Sequence, residues 1–469
     1  MKTITSKEAA SFAEGKLIAG SGSEKINEVI TDSRKAAPGK LFVAIKGENH
    51  DAHSFLEGAY MAGASAVLVS NEEMALEALA KAQAKDKTVA PAIILVKDTV
   101  YGLGRLAHGY IGTLNVKKVG VTGSTGKTST KDMLACVLAE KYRTVKTQGN
   151  FNNEIGMPLT VLSIDEDTEA VVLEMGMSAF GEINYLVDIA RPEIGVITNV
   201  GISHMEILGS REGILKAKLE ITDFFGSDNL LIIYYDGDVL SRKRAAAKGS
   251  FRLQTAGSLP DADFAISNVT DRGADGIEYD LTYGGVKHHV SLPAPGVHNA
   301  GNATLALAAG LAMGVEIEKG IEGLRKLELT SGRLSIKEGS GVRVIDDTYN
   351  ASPDSMKAGL SVLSATAGSR RVAILGDMYE LGDDSESWHR QVGEAAAEKG
   401  IDLVVAIGEN AKAIAEGAKG KKGAGEVVHF AEKAEFIEKL NTYIKKGDVV
   451  LVKASRGMHM EEIVNAIVK

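Results

Sequence analysis

The sequence predicts an α/β protein built from three domains. Short runs rich in valine, isoleucine and leucine alternate with helix-period segments along the 469 residues, the pattern of strands joined by crossover helices. That length exceeds one ordinary core and matches about three units of usual size. One segment, Val116 to Leu138, runs from an apolar strand through a glycine-rich turn into an amphipathic helix, and it sets the character of the middle unit.

Composition narrows the function classes. Hydrophobic residues make up 44% of the chain, as in a soluble globular protein, and no apolar run reaches the roughly 20 residues needed to span a bilayer. Lysine and arginine number 53 against 62 aspartates and glutamates, a net charge of −9 without a concentrated basic segment. Neither nucleic acid nor membrane is therefore an expected partner. The N-terminal residues Met1-Lys2-Thr3-Ile4 lack the apolar core of a signal peptide, and the lone Cys136 excludes an intrachain disulfide, so a cytoplasmic location is expected. Cys136, on a helix, reads as a small buried hydrophobe.

The first unit, residues 1–112, contains the strand patterns Leu41 to Ile45, Ala66 to Val69 and Ala92 to Val96. Its polar content gathers at Thr31-Asp32-Ser33-Arg34 and in the loop Lys46 to Phe55. Ser33 and Arg34 suit a phosphate or carboxylate; a solvated loop fits the same residues equally well.

The central unit, residues 113–328, opens on Gly123-Ser124-Thr125-Gly126-Lys127-Thr128-Ser129. The two glycines let the backbone turn tightly and approach an anion, and the helix that follows points its free amides at it. Lys127 would reach the terminal phosphates of ATP and the Thr128 hydroxyl a magnesium ion. Val121 stands where the longer form of the pattern has a glycine, so this is the shorter Gly-x-x-Gly-Lys-Thr form. An amide-rich turn follows at Gln148 to Pro158, including Asn150 and Asn153. Ligands of open α/β sheets bind outside the carboxyl ends of the strands, which places Glu174, after Ala170 to Leu173, and His204, after Ile194 to Val200, beside the phosphate loop. A carboxylate there suits magnesium; the histidine either completes a second metal site or is hydrogen-bonded structure. Gly213 to Ile221 reads as a helix on which Lys218, by residue chemistry alone, is a solvated charge. Near an Ala/Leu helix, His298, Asn299 and Asn302 leave two readings open: the asparagines cap the helix or they read a base edge.

The third unit, residues 329–469, repeats the alternation with strands at Val342 to Ile345, Val372 to Leu375, Leu403 to Ile407 and Asp448 to Val452, a Rossmann-like layer. Polar signatures sit at its strand ends: Asp346-Asp347-Thr348-Tyr349-Asn350, Gly376-Asp377-Met378-Tyr379-Glu380 and Lys453-Ala454-Ser455-Arg456.

Taken together, the phosphate loop, Gly149-Asn150-Phe151-Asn152-Asn153, Glu174-Met175-Gly176 and Thr198-Asn199-Val200-Gly201-Ile202-Ser203-His204 resemble the ATP-dependent Mur ligases of peptidoglycan synthesis. The resemblance runs over essentially the whole chain. The signatures at Asp346 and Gly376 are similar to those of the branch that adds D-alanyl-D-alanine to UDP-N-acetylmuramoyl-tripeptide. Asn350-Ala351-Ser352-Pro353 and Asp51-Ala52-His53 depart from the family's usual Asn-Ala-Asn-Pro and Asp-Gly-His without removing a charged group.

The resemblance implies an ADP-forming ligase acting through an acyl phosphate, with a UDP-sugar substrate domain, a P-loop ATPase domain and a C-terminal domain that closes over the nucleotide. It implies catalytic roles for Lys127, Glu174, His204 and Lys218. Two magnesium ions would be held by Thr128, Glu174, His204 and a Lys218 carbamylated by carbon dioxide. By the same resemblance Asn299, Asn302, Arg333, Asp347 and Tyr349 join Gly123 to Ser129 around ATP. Ser33, Arg34, Asn150 and Asn153 would meet the UDP-substrate, and Asp377, Ser455 and Arg456 the dipeptide. A monomer is expected, since nothing demands an assembly. Another Mur-type or folylpolyglutamate-type amino-acid ligase is the nearest alternative; a nucleotide-binding switch is the more distant one.

Overall fold

The computed structural model describes residues 1–47, 50–201, 205–235, 239–423 and 425–469. Among these, three separate larger sheets follow one another along the chain. The first has five strands in the spatial order Lys16–Ala19, Ala92–Leu95, Ala66–Val69, Lys40–Val43, Glu28–Ile30, parallel apart from the antiparallel edge strand Lys16–Ala19. A two-stranded ribbon, Ile4–Thr5 with Lys25–Ile26, lies beside it.

The second sheet places Lys117–Thr122 between Ala170–Glu174 and Ile194–Ile197, all parallel. Thr144–Lys146 closes one edge, and Leu230–Tyr234 and Arg252–Gly257 continue the parallel run on the other side. Phe264–Asp271 adds one more parallel strand, and Ile277–Tyr283 and Val286–Leu292 extend it as an antiparallel ribbon. The third sheet runs Ser335–Gly339, Val342–Asp347, Asp448–Lys453, Arg370–Gly376, Leu403–Ile407, Glu426–Phe430, with only its first pair antiparallel.

The sequence pattern explains this division. Strands such as Ile194–Ile197 and Leu403–Ile407 are buried at every position, because helices cover both faces of a parallel sheet and leave no place for alternation. Ile277–Tyr283 alternates buried with half-buried residues instead, as an antiparallel strand with one wetter face does. The phosphate-loop helix, Lys127–Ala139, buries Met133, Leu134, Val137 and Leu138 under the second sheet. Helix Asn299–Ala312 approaches it closely because Gly310 carries no side chain: a Cβ there would lie 2.3 Å from Val137 Cγ1. The helix expected over 213–221 is α-helical over Arg211–Lys218 and tightens to a 3₁₀ turn at Leu219–Thr222. No helix among the described residues is long and apolar enough to cross a membrane.

Helix Thr99–Ile111 ties the first sheet to the second. Arg105 pairs with Glu14 and Asp188, both at 2.9 Å. Tyr110 is fully buried, donates its hydroxyl proton to the Ile164 carbonyl and accepts from the Lys2 amide; burial pushes its phenol up to about 12. Tyr110→Phe removes a buried group that serves two backbone partners. It should lower the stability of the chain by about 1–3 kcal/mol, read as a shift in denaturant midpoint at unchanged slope.

Candidate active site

The carboxyl ends of Lys117–Thr122, Ala170–Glu174 and Ile194–Ile197 meet at one crevice, where the strand order reverses around the central strand. The phosphate loop rises from it and is clamped from both sides. Thr198 donates its hydroxyl to the Thr125 carbonyl at 2.5 Å, and Asn199 accepts from the Thr125 amide at 3.0 Å while donating to its hydroxyl at 2.6 Å. The Gly201 amide reaches Ser124 Oγ at 2.9 Å. Gly126 takes a left-handed φ of 78° as the residue that starts the helix, and a Cβ there would lie 2.6 Å from Asn302 Oδ1. Only glycine suits both the dihedral and the space.

Lys127 folds its ammonium back onto the Gly123 and Ser124 carbonyls, at 2.8 and 3.4 Å. Burial lowers its pKa, Glu174 acts in the opposite sense, and Arg333 adds a further lowering. Glu174 is 2% exposed; its Oε1 accepts from Asn152 Nδ2 at 2.9 Å, and its Oε2 has no hydrogen-bond partner among the described residues. Lys131 lies 3.9 Å from that oxygen and also donates to the Thr147 carbonyl at 2.9 Å. A buried carboxylate oxygen left open beside a phosphate loop is chemically suited to a hard divalent cation, and the Thr128 side chain lines the same space.

A cavity of about 530 Å³ lies between the second and third sheets. One wall holds Ser124 to Ser129, Asn152, Glu174, Thr198, Asn199, His298, Asn299 and Asn302; the facing wall holds Arg333, Asp347, Tyr349, Asn350 and Lys453. In that facing wall Lys453, 2% exposed, pairs with Asp347 at 2.7 Å and donates to the Asn350 carbonyl at 2.8 Å. Burial raises the pKa of Asp347, and Lys453 opposes that rise. The Arg333 guanidinium stacks on the Tyr349 ring at 4.0 Å, with Arg456 at 5.4 Å from the same ring. Ser352 caps helix Pro353–Ala365 through a reciprocal pair with Ser355, a task a short polar side chain of either kind can perform.

The readings from residue chemistry alone meet a different arrangement at Lys218 and at the Asn299–Asn302 pair. Lys218 is no solvated charge: it is 2% exposed, no hydrogen bond or ion pair reaches it among the described residues, and burial followed by the like charge of Lys127 drives its pKa well below 10.5. The sequence-level reading went wrong because the helix turns Lys218 into the core beside the phosphate loop. Asn299 and Asn302 do not cap their helix; Asn299 donates to the Pro295 carbonyl at 2.7 Å and accepts from Asn302 at 2.8 Å, so the pair braces the cavity wall. Asn150 is exposed, and Asn153 accepts from the Gly156 amide at 2.9 Å at the start of helix Gly156–Ser163. Neither lines the cavity, whereas Asn152 between them does.

Ser33 and Arg34 also lie outside the cavity, and Arg34 is engaged by Asp32 through two hydrogen bonds at 2.9 and 2.8 Å. Asp377 is buried and accepts from the Ala411 amide at 2.7 Å, and Ser455 Oγ accepts from the Tyr379 amide at 2.8 Å. Both serve backbone closure at the ends of the third sheet, while Arg456 is exposed beside Tyr349. His204 falls outside the described residues. Asn152 and Lys453 lie inside polar segments that the sequence marks without a role of their own, and Lys131 is unmarked there. Lys131 stands one helical turn beyond Lys127, and Lys453 lies directly opposite Asp347 in a parallel pair, spacings that could have flagged both.

A short-form phosphate loop, an open buried carboxylate beside it and a second α/β layer facing it across the cavity define a nucleotide-dependent α/β enzyme. Family models match in three consecutive stretches: the Mur ligase catalytic domain at residues 25–110, the Mur ligase middle domain at 121–310 and the Mur ligase glutamate ligase domain at 332–456. The UDP-N-acetylmuramoyl-tripeptide--D-alanyl-D-alanine ligase of Bacillus subtilis is 41% identical over 446 residues, covering 95% of this chain and 93% of the relative. The crystal structure of MurF from Acinetobacter baumannii superposes with a TM-score of 0.87 at 31% identity, covering 100% of this chain and 99% of that one. MurF from Thermotoga maritima, solved in complex with ADP, gives 0.79 at 29% identity over 94% and 96% of the two chains. The chain belongs to the Mur ligase family.

Replacing Gly126 with alanine forces an L-residue into the left-handed region and against Asn302. The strain alone is worth about 1–2 kcal/mol, and a loop that shifts to relieve it loses its fit to phosphate, so Gly126→Ala should bind Mg·ATP about five- to thirtyfold more weakly in calorimetry, with the secondary structure seen by circular dichroism unchanged.

Proposed function

We propose that the chain is an ATP-dependent, ADP-forming ligase that joins the amine of D-alanyl-D-alanine to the terminal carboxylate of UDP-N-acetylmuramoyl-tripeptide, the last cytoplasmic step in building the peptidoglycan pentapeptide precursor. The observation that carries this reading is a complete phosphate loop facing Arg333, Asp347 and Tyr349 across one cavity, in a chain whose 41% identical relative bears that activity in its name over nearly its whole length. Residues 1–112 are assigned to the UDP-substrate, 113–328 to ATP, and 329–469 to nucleotide closure and the dipeptide. The three larger sheets each fall within one of these limits, which supports the division. A monomeric catalyst is part of this reading, and ATP and a UDP-linked substrate suit the cytoplasm.

A carboxylate does not react with an amine at neutral pH; transfer of the ATP γ-phosphoryl group gives it a leaving group. The resulting acyl phosphate is attacked by the dipeptide amine, and the tetrahedral adduct expels phosphate as the amide forms. Two anions, a carboxylate and a polyphosphate, must approach each other, so charge neutralisation is the main demand on the protein. The loop amides and Lys127 bind the phosphates from one wall, and Arg333 meets them from the other. Asn299 and Asn302 hold the base side of the nucleotide, and Asp347 and Tyr349 the side toward the third sheet. Thr128, Glu174, His204 and a carbamylated Lys218 would hold two magnesium ions, which when bound supply Lewis-acid neutralisation of the transferring phosphoryl group.

The burial of Lys218 supports the carbamate. A lowered pKa leaves more of the side chain as the neutral amine near pH 7 than an exposed lysine would have. That amine adds carbon dioxide at Nζ with release of a proton, turning a buried neutral amine that faces Lys127 into an anion that Lys127 attracts.

Phosphate release from Mg·ATP should require UDP-N-acetylmuramoyl-tripeptide and D-alanyl-D-alanine together and yield the UDP-pentapeptide by mass. Release with a single amino acid in place of the dipeptide would favour another amino-acid ligase. Lys218→Ala should lose at least about a hundredfold in ligation rate, the scale of a lost charge-stabilising group, and regain part of it in added short carboxylic acids; a carbamate signal should appear by ¹³C NMR in labelled carbon dioxide for the unaltered protein alone. Undiminished ligation by Lys218→Ala would contradict the carbamate.

A further inference from the structure

Arg333 reaches the cavity from the linker that joins the last helix of the middle unit, Ile317–Leu324, to the first strand of the third sheet, Ser335–Gly339. Its Nε is buried without a hydrogen-bond partner among the described residues, so the guanidinium is held in place by what surrounds it and by the backbone that carries it. That backbone is fastened at two points. On the third-sheet side the Tyr349 amide donates to the Gly332 carbonyl at 2.9 Å and the Leu334 amide to Asp347 at 3.3 Å. On the other side the Thr330 hydroxyl donates to Asp132 Oδ2 at 2.7 Å, and the Arg333 amide then folds back onto the Thr330 carbonyl at 3.2 Å.

Asp132 sits on the phosphate-loop helix one residue beyond Lys131. Its Oδ1 is 2.7 Å from Lys146 Nζ and 3.3 Å from Lys131 Nζ, and its side chain is only 5% exposed. The two lysines and the burial fix the position of that carboxylate, so the hydroxyl it grips is bound to the same helix that presents the phosphate loop.

We infer that the Asp132–Thr330 hydrogen bond is the device that sets Arg333 against the phosphate loop, making Asp132 and Thr330 positioning residues for nucleotide binding. The inference rests on the ATP site proposed above and deepens it. The two walls of the cavity belong to separate sheets, and a side chain that must meet the same phosphates as Lys127 needs its backbone referenced to the Lys127 helix. Thr330 provides that reference three residues before Arg333. Without it, Gly332, with a φ of 77°, lets the linker pivot and the guanidinium leave the phosphate side.

The test compares Thr330→Val, which keeps the shape and removes the hydroxyl, with Thr330→Ser, which keeps the hydroxyl. Binding of a magnesium complex of a non-hydrolysable ATP analogue, measured by calorimetry, should weaken roughly tenfold in Thr330→Val, the scale of one hydrogen bond to a charged group, and return to the unaltered value in Thr330→Ser. In an Arg333→Ala background Thr330→Val should add no further loss, because the hydroxyl acts through that side chain. In ligation, Thr330→Val should raise the KM for ATP and leave that for the dipeptide unchanged. Equal binding by Thr330→Val and the unaltered chain, or a full additional loss in the Arg333→Ala background, would overturn the inference. Because the analogue is bound without reaction, a protein that binds it but does not ligate counts against the ligase reading and leaves this comparison standing.

Discussion

The structure depends on how the phosphate loop is held open. A loop that offers backbone amides to an anion must keep them from bonding elsewhere, so its shape has to be imposed from outside. Here Thr198 and Asn199 seize Thr125 from the neighbouring strand end, Gly201 takes Ser124, and Asn302 leaves at Gly126 no room for any side chain. Thr198, Asn199 and Gly201 follow the strand Ile194–Ile197, and Asn302 stands on the helix Asn299–Ala312. The parallel arrangement of Lys117–Thr122 with Ile194–Ile197 is therefore a condition of the site as well as of the core.

Charge is arranged on the same principle. Lys127, Lys131 and Lys218 stand near one another with Glu174 among them, and the buried carboxylate keeps one oxygen open. Such a cluster is costly unless anions and cations enter it together. Mg·ATP is a partner of that kind, and a carbamate on Lys218 would add an anion beside Lys127. Across the cavity Lys453 and Asp347 pair with each other and fix the Tyr349 loop, and among the described residues Arg333 is a cation of that wall without an ion-pair partner.

The local chemistry of the site was largely legible in the sequence; the direction of individual side chains was not. Gly123 to Ser129 and Glu174 are readable because a glycine loop and a strand end restrict where they can go, whereas Asn299, Asn302, Arg333, Asp347 and Tyr349 are assigned to the nucleotide only through the family resemblance; strands of parallel sheets announce themselves as unbroken apolar runs. Among the three asparagines at 150, 152 and 153, by contrast, only the tight turn decides which faces Glu174, and it selects Asn152. Asp377 and Ser455 share the strand-end position of the cavity residues, yet the third sheet spends them on its own backbone amides. Lys218 escaped residue-level reading because a helix of eight residues does not show from its sequence which side will be covered.

The central claim is that one nucleotide is gripped from both walls of the cavity at once. A crystal structure of the chain with Mg·ADP tests it most directly. The expected complex has the β-phosphate in the loop from Gly123 to Thr128, the base against Asn299 and Asn302, and Arg333, Asp347 or Tyr349 within hydrogen-bonding reach of the same nucleotide. A nucleotide held by the loop alone, with the third sheet making no contact, or one lodged outside the cavity, would contradict it.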